Sequence, residues 1–64
     1  MELKSGIDYI TDNSDLLFRV HKVQYINDEC YKVKGSIFNK RNGIHYETKN
    51  YKLLKSRIQH WRKA

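Results

Sequence analysis

Ten of the thirteen lysines and arginines in this chain of 64 residues fall within residues 30–64, and their spacing suits the neutralisation of anionic groups. Lys32 and Lys34 alternate along a stretch of strand character, Lys40 and Arg41 sit in a turn, Lys49 and Lys52 flank Tyr51, and Arg57, Arg62 and Lys63 lie near the end of the sequence. Cationic side chains grouped in this way supply the sequence-independent part of nucleic-acid binding, because each phosphate they neutralise releases condensed counterions. Phe38 and Tyr51, set among them, are candidates for stacking an exposed base. Carboxylates on an acidic protein surface answer to the same charges.

The charge is divided more sharply than its total of +6 suggests. Residues 1–29 carry three basic and six acidic residues, a balance of −3, whereas residues 30–64 carry ten basic residues against Glu47 alone, a balance of +9. A chain polarised in this way steers an anionic partner towards one face. The bland alternative is that the basic half only solvates the protein and complements its own acidic half.

Other chemistries find little support. His21, His45 and His60 are far apart, Cys30 stands alone, and no pair has the spacing that gives zinc its ligands. Cys30 follows Asp28 and Glu29, acids that oppose thiolate formation and so disfavour a nucleophilic role. No glycine-rich phosphate loop and no pair of catalytic carboxylates is present. The expectation is a non-enzymatic binding module without cofactor or metal.

Leu16, Phe18 and Val20 alternate as one face of a half-buried strand, and the phase slips by one residue near His21 and Lys22, which predicts a bulge, with Val23 and Tyr25 carrying the apolar positions onward. Asn27-Asp28-Glu29 is a turn signal. In the following stretch Tyr31, Val33, Gly35 and Ile37 share one face, while Lys32, Lys34, Ser36 and Phe38 share the other. Gly35 inside a strand signals strong coiling or the close approach of another backbone. Asn42-Gly43 marks a hairpin, after which Ile44, Tyr46 and Thr48 open a further strand with His45 and Glu47 facing out. A weaker strand is expected over Gly6–Thr11. Tyr51, Leu54, Ile58 and Trp61 recur at helical spacing, so the expectation is a strand to about Leu53, a short helix from about Lys55 with Ser56 as a potential cap, and Trp61 folded over the open end of the sheet.

Sixty-four residues make one domain, which removes only about 60% of its unfolded surface from water. With 39% hydrophobic residues, five tyrosines and no proline, the composition is that of a folded domain and not of a disordered basic tail. The expected class is mainly β, a small strongly bent four-stranded antiparallel sheet with a short C-terminal helix. In strand count and spacing, residues 6–61 resemble the SH3-like small barrels, which include Tudor-type and chromodomain-like modules.

Functionally, the residues point first to a nucleic-acid-binding module. The alternatives are a small protein-interaction module or inhibitor docking on an acidic protein, of the kind common among phage and mobile-element products, or an oligomer joining its basic faces around a small phosphorylated ligand, with Tyr25, Phe38 or Trp61 as association surface. No stretch approaches the length of a membrane span and a single cysteine suits a reducing compartment, so a soluble, cytoplasmic protein is expected.

Overall fold

A computed structural model describes residues 2–64. The chain runs β1 (Asp8–Ile10), β2 (Leu16–Ile26), β3 (Cys30–Asn39), β4 (Ile44–His45), β5 (Lys49–Leu54), α1 (Lys55–Ile58) and β6 (Arg62–Lys63). All strand pairings are antiparallel, in the order β4-β3-β2-β1-β6, with β5 also paired to β3. The fold is therefore mainly β, a single sheet that does not close, with one short helix.

The β2–β3 hairpin is the spine. Asn27 makes its turn tight: its side-chain Oδ1 accepts from the backbone N–H of Glu29 at 2.8 Å and of Cys30 at 2.7 Å. Pairing is regular from Leu16 opposite Asn39 to Val20 opposite Gly35. It then shifts twice: Lys22 lies opposite Lys34, leaving His21 as an extra residue, and Tyr25 lies opposite Lys32, leaving Gln24 as another. The first bulge is where the sequence phase slips. The second moves Tyr25 off the apolar face, to which the regular alternation had assigned it, and this ring is 54% exposed.

One face of the sheet buries Phe18, Val20, Tyr31 and Val33 with Tyr9 of β1, Ile58 of α1 and Leu3 of the N-terminal segment. Fully burying side chains of this size stabilises by about 1.5–3 kcal/mol each. Leu3 joins them because its segment is tied to β2: the Gly6 N–H donates to the Val20 carbonyl at 2.7 Å, and the Val23 N–H donates to Ser5 Oγ at 3.2 Å. Tyr9 has no exposed surface, and its phenol oxygen accepts from the Lys4 N–H at 2.7 Å, so the polar end of a buried ring is satisfied. Gly35 is in β3 because nothing larger fits. A Cβ there would lie 2.7 Å from the Arg19 carbonyl oxygen and 2.7 Å from Cζ of Phe18.

Six strand segments replace the four expected. The stretch after the hairpin begins as β4, with His45 opposite Phe38, and resumes as β5, with Lys49 opposite Gly35, one residue out of step. Ile44 and Tyr46, although on the parity of the core face, are about half exposed. At the other end the helix is a single turn. It has no side-chain cap, no acid in its first turn, and Leu54 instead of Ser56 at the N-cap position. The chain then doubles back so that Arg62 and Lys63 pair with Ile10 and Tyr9 of β1. Pairing with an open strand thus overrides helical spacing, and of the four residues at that spacing only Ile58 is buried within the helix.

Candidate functional site

The outer face of the sheet, opposite the core, is built by the two bulges. Each lets two successive β2 side chains project outward where regular alternation would allow one, so His21 with Lys22 and Gln24 with Tyr25 join the outward residues of β3. Across the sheet Lys22 faces Lys34, which faces Asn50, and Tyr25 faces Lys32, which faces Lys52. Side chains directly opposite on antiparallel strands have Cβ atoms about 4.5–5.5 Å apart. Two like-charge pairs, Lys22 with Lys34 and Lys32 with Lys52, are therefore held side by side. Among the described residues no carboxylate lies within ion-pair distance of any of these four lysines. Beside Lys32 and Lys52 is a depression of about 370 Å³, lined also by Gln24, Asn50 and Tyr51.

Three acids of the N-terminal half already have partners of their own. Asp8 grips Arg19 with both oxygens, at 2.8 and 3.1 Å, Asp15 lies 3.8 Å from Arg41, and Asp12 accepts from His60 and from the Trp61 indole N–H. Hydrogen bonding to His60 first, and then to Trp61, holds the Asp12 carboxyl below its ordinary pKa.

The residues singled out from the sequence do not form one site. Lys32, Lys34 and Lys52 come together on the outer face. Phe38 shares that face but lies towards the far end of β3, half buried and covered by His45 at a ring separation of 4.4 Å. Lys40 and Arg41 occupy the β3–β4 turn, beyond Phe38. Lys49 is opposite Gly35 and so has the parity of the core face, although it is exposed. The Tyr51 ring also turns inward, edge-on to Phe18 at 5.1 Å. Arg57 is on α1, near Asp12. Conversely, Lys22, Gln24, Tyr25 and Asn50 belong to the face without having been singled out for it. The available signal was the spacing of three in Val20, Val23 and Ile26, which fits two slips as well as Val23 and Tyr25 fit one.

A second concavity lies where the sheet fails to close. It measures about 330 Å³ and is lined by Leu16, Phe18, Ile37, Tyr51, Leu53 and Trp61, with Asp12 and Asn13 exposed beside it. Three aromatic rings meet there, Trp61 lying 5.6 Å from Phe18. Elsewhere, His21 Nε2 is 3.1 Å from Ser36 Oγ, but the nearby Asp8 is committed to Arg19. Among the described residues no group of three His, Cys, Asp or Glu is placed to hold a metal ion, and no helix is long and apolar enough to cross a membrane. Compared with family models, with curated proteins and with solved structures, the chain matches none.

The Asp8–Arg19 pair on this face gives an expected pH dependence. The hydrogen bond from Arg19 holds the Asp8 carboxyl below its ordinary value, with burial opposing. A group whose folded-state pKa is depressed contributes stability that is fully present above the unfolded pKa of about 3.9 and is lost as pH falls through the lower folded value. Urea midpoints followed from neutral to acid pH should therefore fall less steeply for Asp8→Asn than for the parent chain below about pH 4. Parallel curves would show that the pair contributes nothing, as many exposed ion pairs do.

Proposed function

We propose that the protein is a non-enzymatic nucleic-acid-binding module that engages phosphates through Lys22, Lys32, Lys34 and Lys52. The observation that carries this is the pair of directly opposed lysine pairs with no acid among them. Like charges directly opposite in a sheet are destabilising, so a face that only kept the protein in solution would more economically intersperse both signs. Polyanion binding supplies what the free fold lacks, a counter-charge for all four at once. The finer fold proposed is an incompletely closed SH3-like, Tudor-like barrel, supported by the meander order, the bulged and bent β2–β3 pair and the return of β6 to β1. Gln24 and Asn50 beside the lysines favour nucleic acid over a bare carboxylate surface, because side-chain amides both donate to and accept from base edges.

Fluorescence anisotropy with labelled DNA and RNA oligonucleotides tests this. Binding should weaken linearly in log–log form between about 50 and about 200 mM salt, with a slope of about −3 for four single-strand phosphate contacts. Absence of binding at low salt, together with capture by polyglutamate, would transfer the face to an acidic protein partner and end the nucleic-acid proposal.

A further inference from the structure

The lysine face carries more than charge, and what else it carries bears on which form of nucleic acid it fits. Of the five tyrosines, Tyr9 and Tyr31 are buried, Tyr51 turns to the inner cleft, and Tyr46, although exposed, follows β4 on the parity of Ile37. Tyr25 alone stands on the outer face, 54% exposed, directly opposite Lys32 and one strand further from Lys52. It is there because the extra residue Gln24 shifts the register. Were Gln24 regularly paired and not bulged, Val23 and Tyr25 would share a face, and the ring would sit on the apolar side.

Resting on the nucleic-acid reading above, we infer that the face binds a single strand and that one unpaired base stacks on Tyr25 above the depression lined by Gln24, Lys32, Asn50 and Lys52. In a duplex the bases are stacked on one another and offer a protein their edges in the grooves, and no flat face for an exposed ring to cover. A single strand offers the flat face of the base to an exposed ring and its edge to neighbouring amides. Lys32 and Lys34, two residues apart on β3, are separated by about 7 Å, a span comparable to one extended sugar–phosphate unit. Lys22 and Lys52 widen the same track on either side. Ring, amides and cations thus share one face, where a nucleotide can offer its base face, base edge and phosphate to them together.

Three probes of equal phosphate count separate this inference from the reading it rests on: an unstructured single strand, the same sequence as a duplex, and an abasic single strand. The single strand should bind at least about 10-fold more tightly than the abasic one, within the range of about 5- to 100-fold that stacking of one base contributes, and more tightly than the duplex. Tyr25→Ala should lose that factor on the single strand and nothing on the abasic strand, whereas Tyr25→Trp should keep it. Far-UV circular dichroism verifies that each variant is folded, and the abasic comparison needs no variant at all. If single strand, duplex and abasic strand bind alike, and Tyr25→Ala changes none of them, phosphate binding by the lysines stands and the stacked base is refuted. If the folded protein binds none of the three, the nucleic-acid reading fails and this inference with it.

Discussion

Gly35→Ala is expected to remove the cooperative urea transition of this protein, or to move it to very low denaturant. The added methyl would meet two groups at once. One is the backbone carbonyl oxygen of Arg19, 2.7 Å away, which is fixed by β2 running between its two neighbours. The other is the Phe18 ring, 2.7 Å away at Cζ and 2.8 Å at Cε1, and this ring is itself held between Tyr51 and Trp61. Neither can withdraw without shifting the strand or opening the aromatic cluster. Overpacking of this kind costs typically about 1–3 kcal/mol, against a total of roughly 3–5 kcal/mol for a domain of this size. Circular dichroism against urea measures the effect directly. An unchanged midpoint would mean that the sheet bends at Gly35 more freely than the contact distances imply.

The second large effect separates a functional face from a merely solvated one. Exchanging both β3 lysines, Lys32→Glu with Lys34→Glu, converts two like-charge cross-strand pairs into two opposite-charge pairs, with Lys52 and Lys22 respectively. Each favourable cross-strand pair contributes about 0.2–1 kcal/mol, so the double variant should be the more stable protein, by roughly 1 kcal/mol. That corresponds to a rise in Tm of about 4–8 °C for a domain of 60 to 100 residues. Its affinity for nucleic acid should fall by about 100-fold or more at low salt, and the salt slope should lose at least about 1.4 units as two phosphates go uncontacted. A gain in stability coupled to a loss of binding is the signature of side chains retained for function at a cost to the fold. If the variant is stabilised and binds as before, the lysines belong to solvation alone. Loss of both stability and binding would show that their stems pack in a way the charge argument ignores.

How far the sequence discloses this molecule depends on whether an element is decided locally. The Asn27 turn, the Asn42-Gly43 hairpin and the slip at His21 are local, and all three are legible in short windows. Gly43 does hold a positive φ of 73° in its turn. The close approach at Gly35 is legible too, since glycine between Val33 and Ile37 on one face of a strand has few other reasons to be there. The end of the chain is different. Arg62 and Lys63 become a strand only because β1 offers an unpaired edge, and no property of those two residues announces it. Leu3 is buried for a similar reason, because its segment is hydrogen-bonded along β2 across 14 or more positions of sequence.

The same division runs through the candidate site. Alternation along β3 places Lys32 and Lys34 together, and Lys52 joins them once β5 is recognised as a partner. Phe38 has the correct parity, yet His45 covers it from the adjoining strand, an event that parity does not encode. Tyr25 needs the second bulge, and a single phase slip followed by renewed alternation is an equally good account of residues 16–26 until the pairing with β3 is known.

Those bulges also set how densely the face is furnished. Eleven residues of β2, Leu16 to Ile26, run alongside nine of β3, Tyr31 to Asn39. The sheet is no longer for it, so two side chains, His21 and Gln24, are gained within the same span. Because neither has a ladder partner, removing either would leave every remaining pair in register, while removing a paired residue of β2 would turn the rest of the strand over. The chemistry of this surface can therefore be enriched or thinned one residue at a time without disturbing the core behind it, a freedom that a regular strand does not give so small a protein.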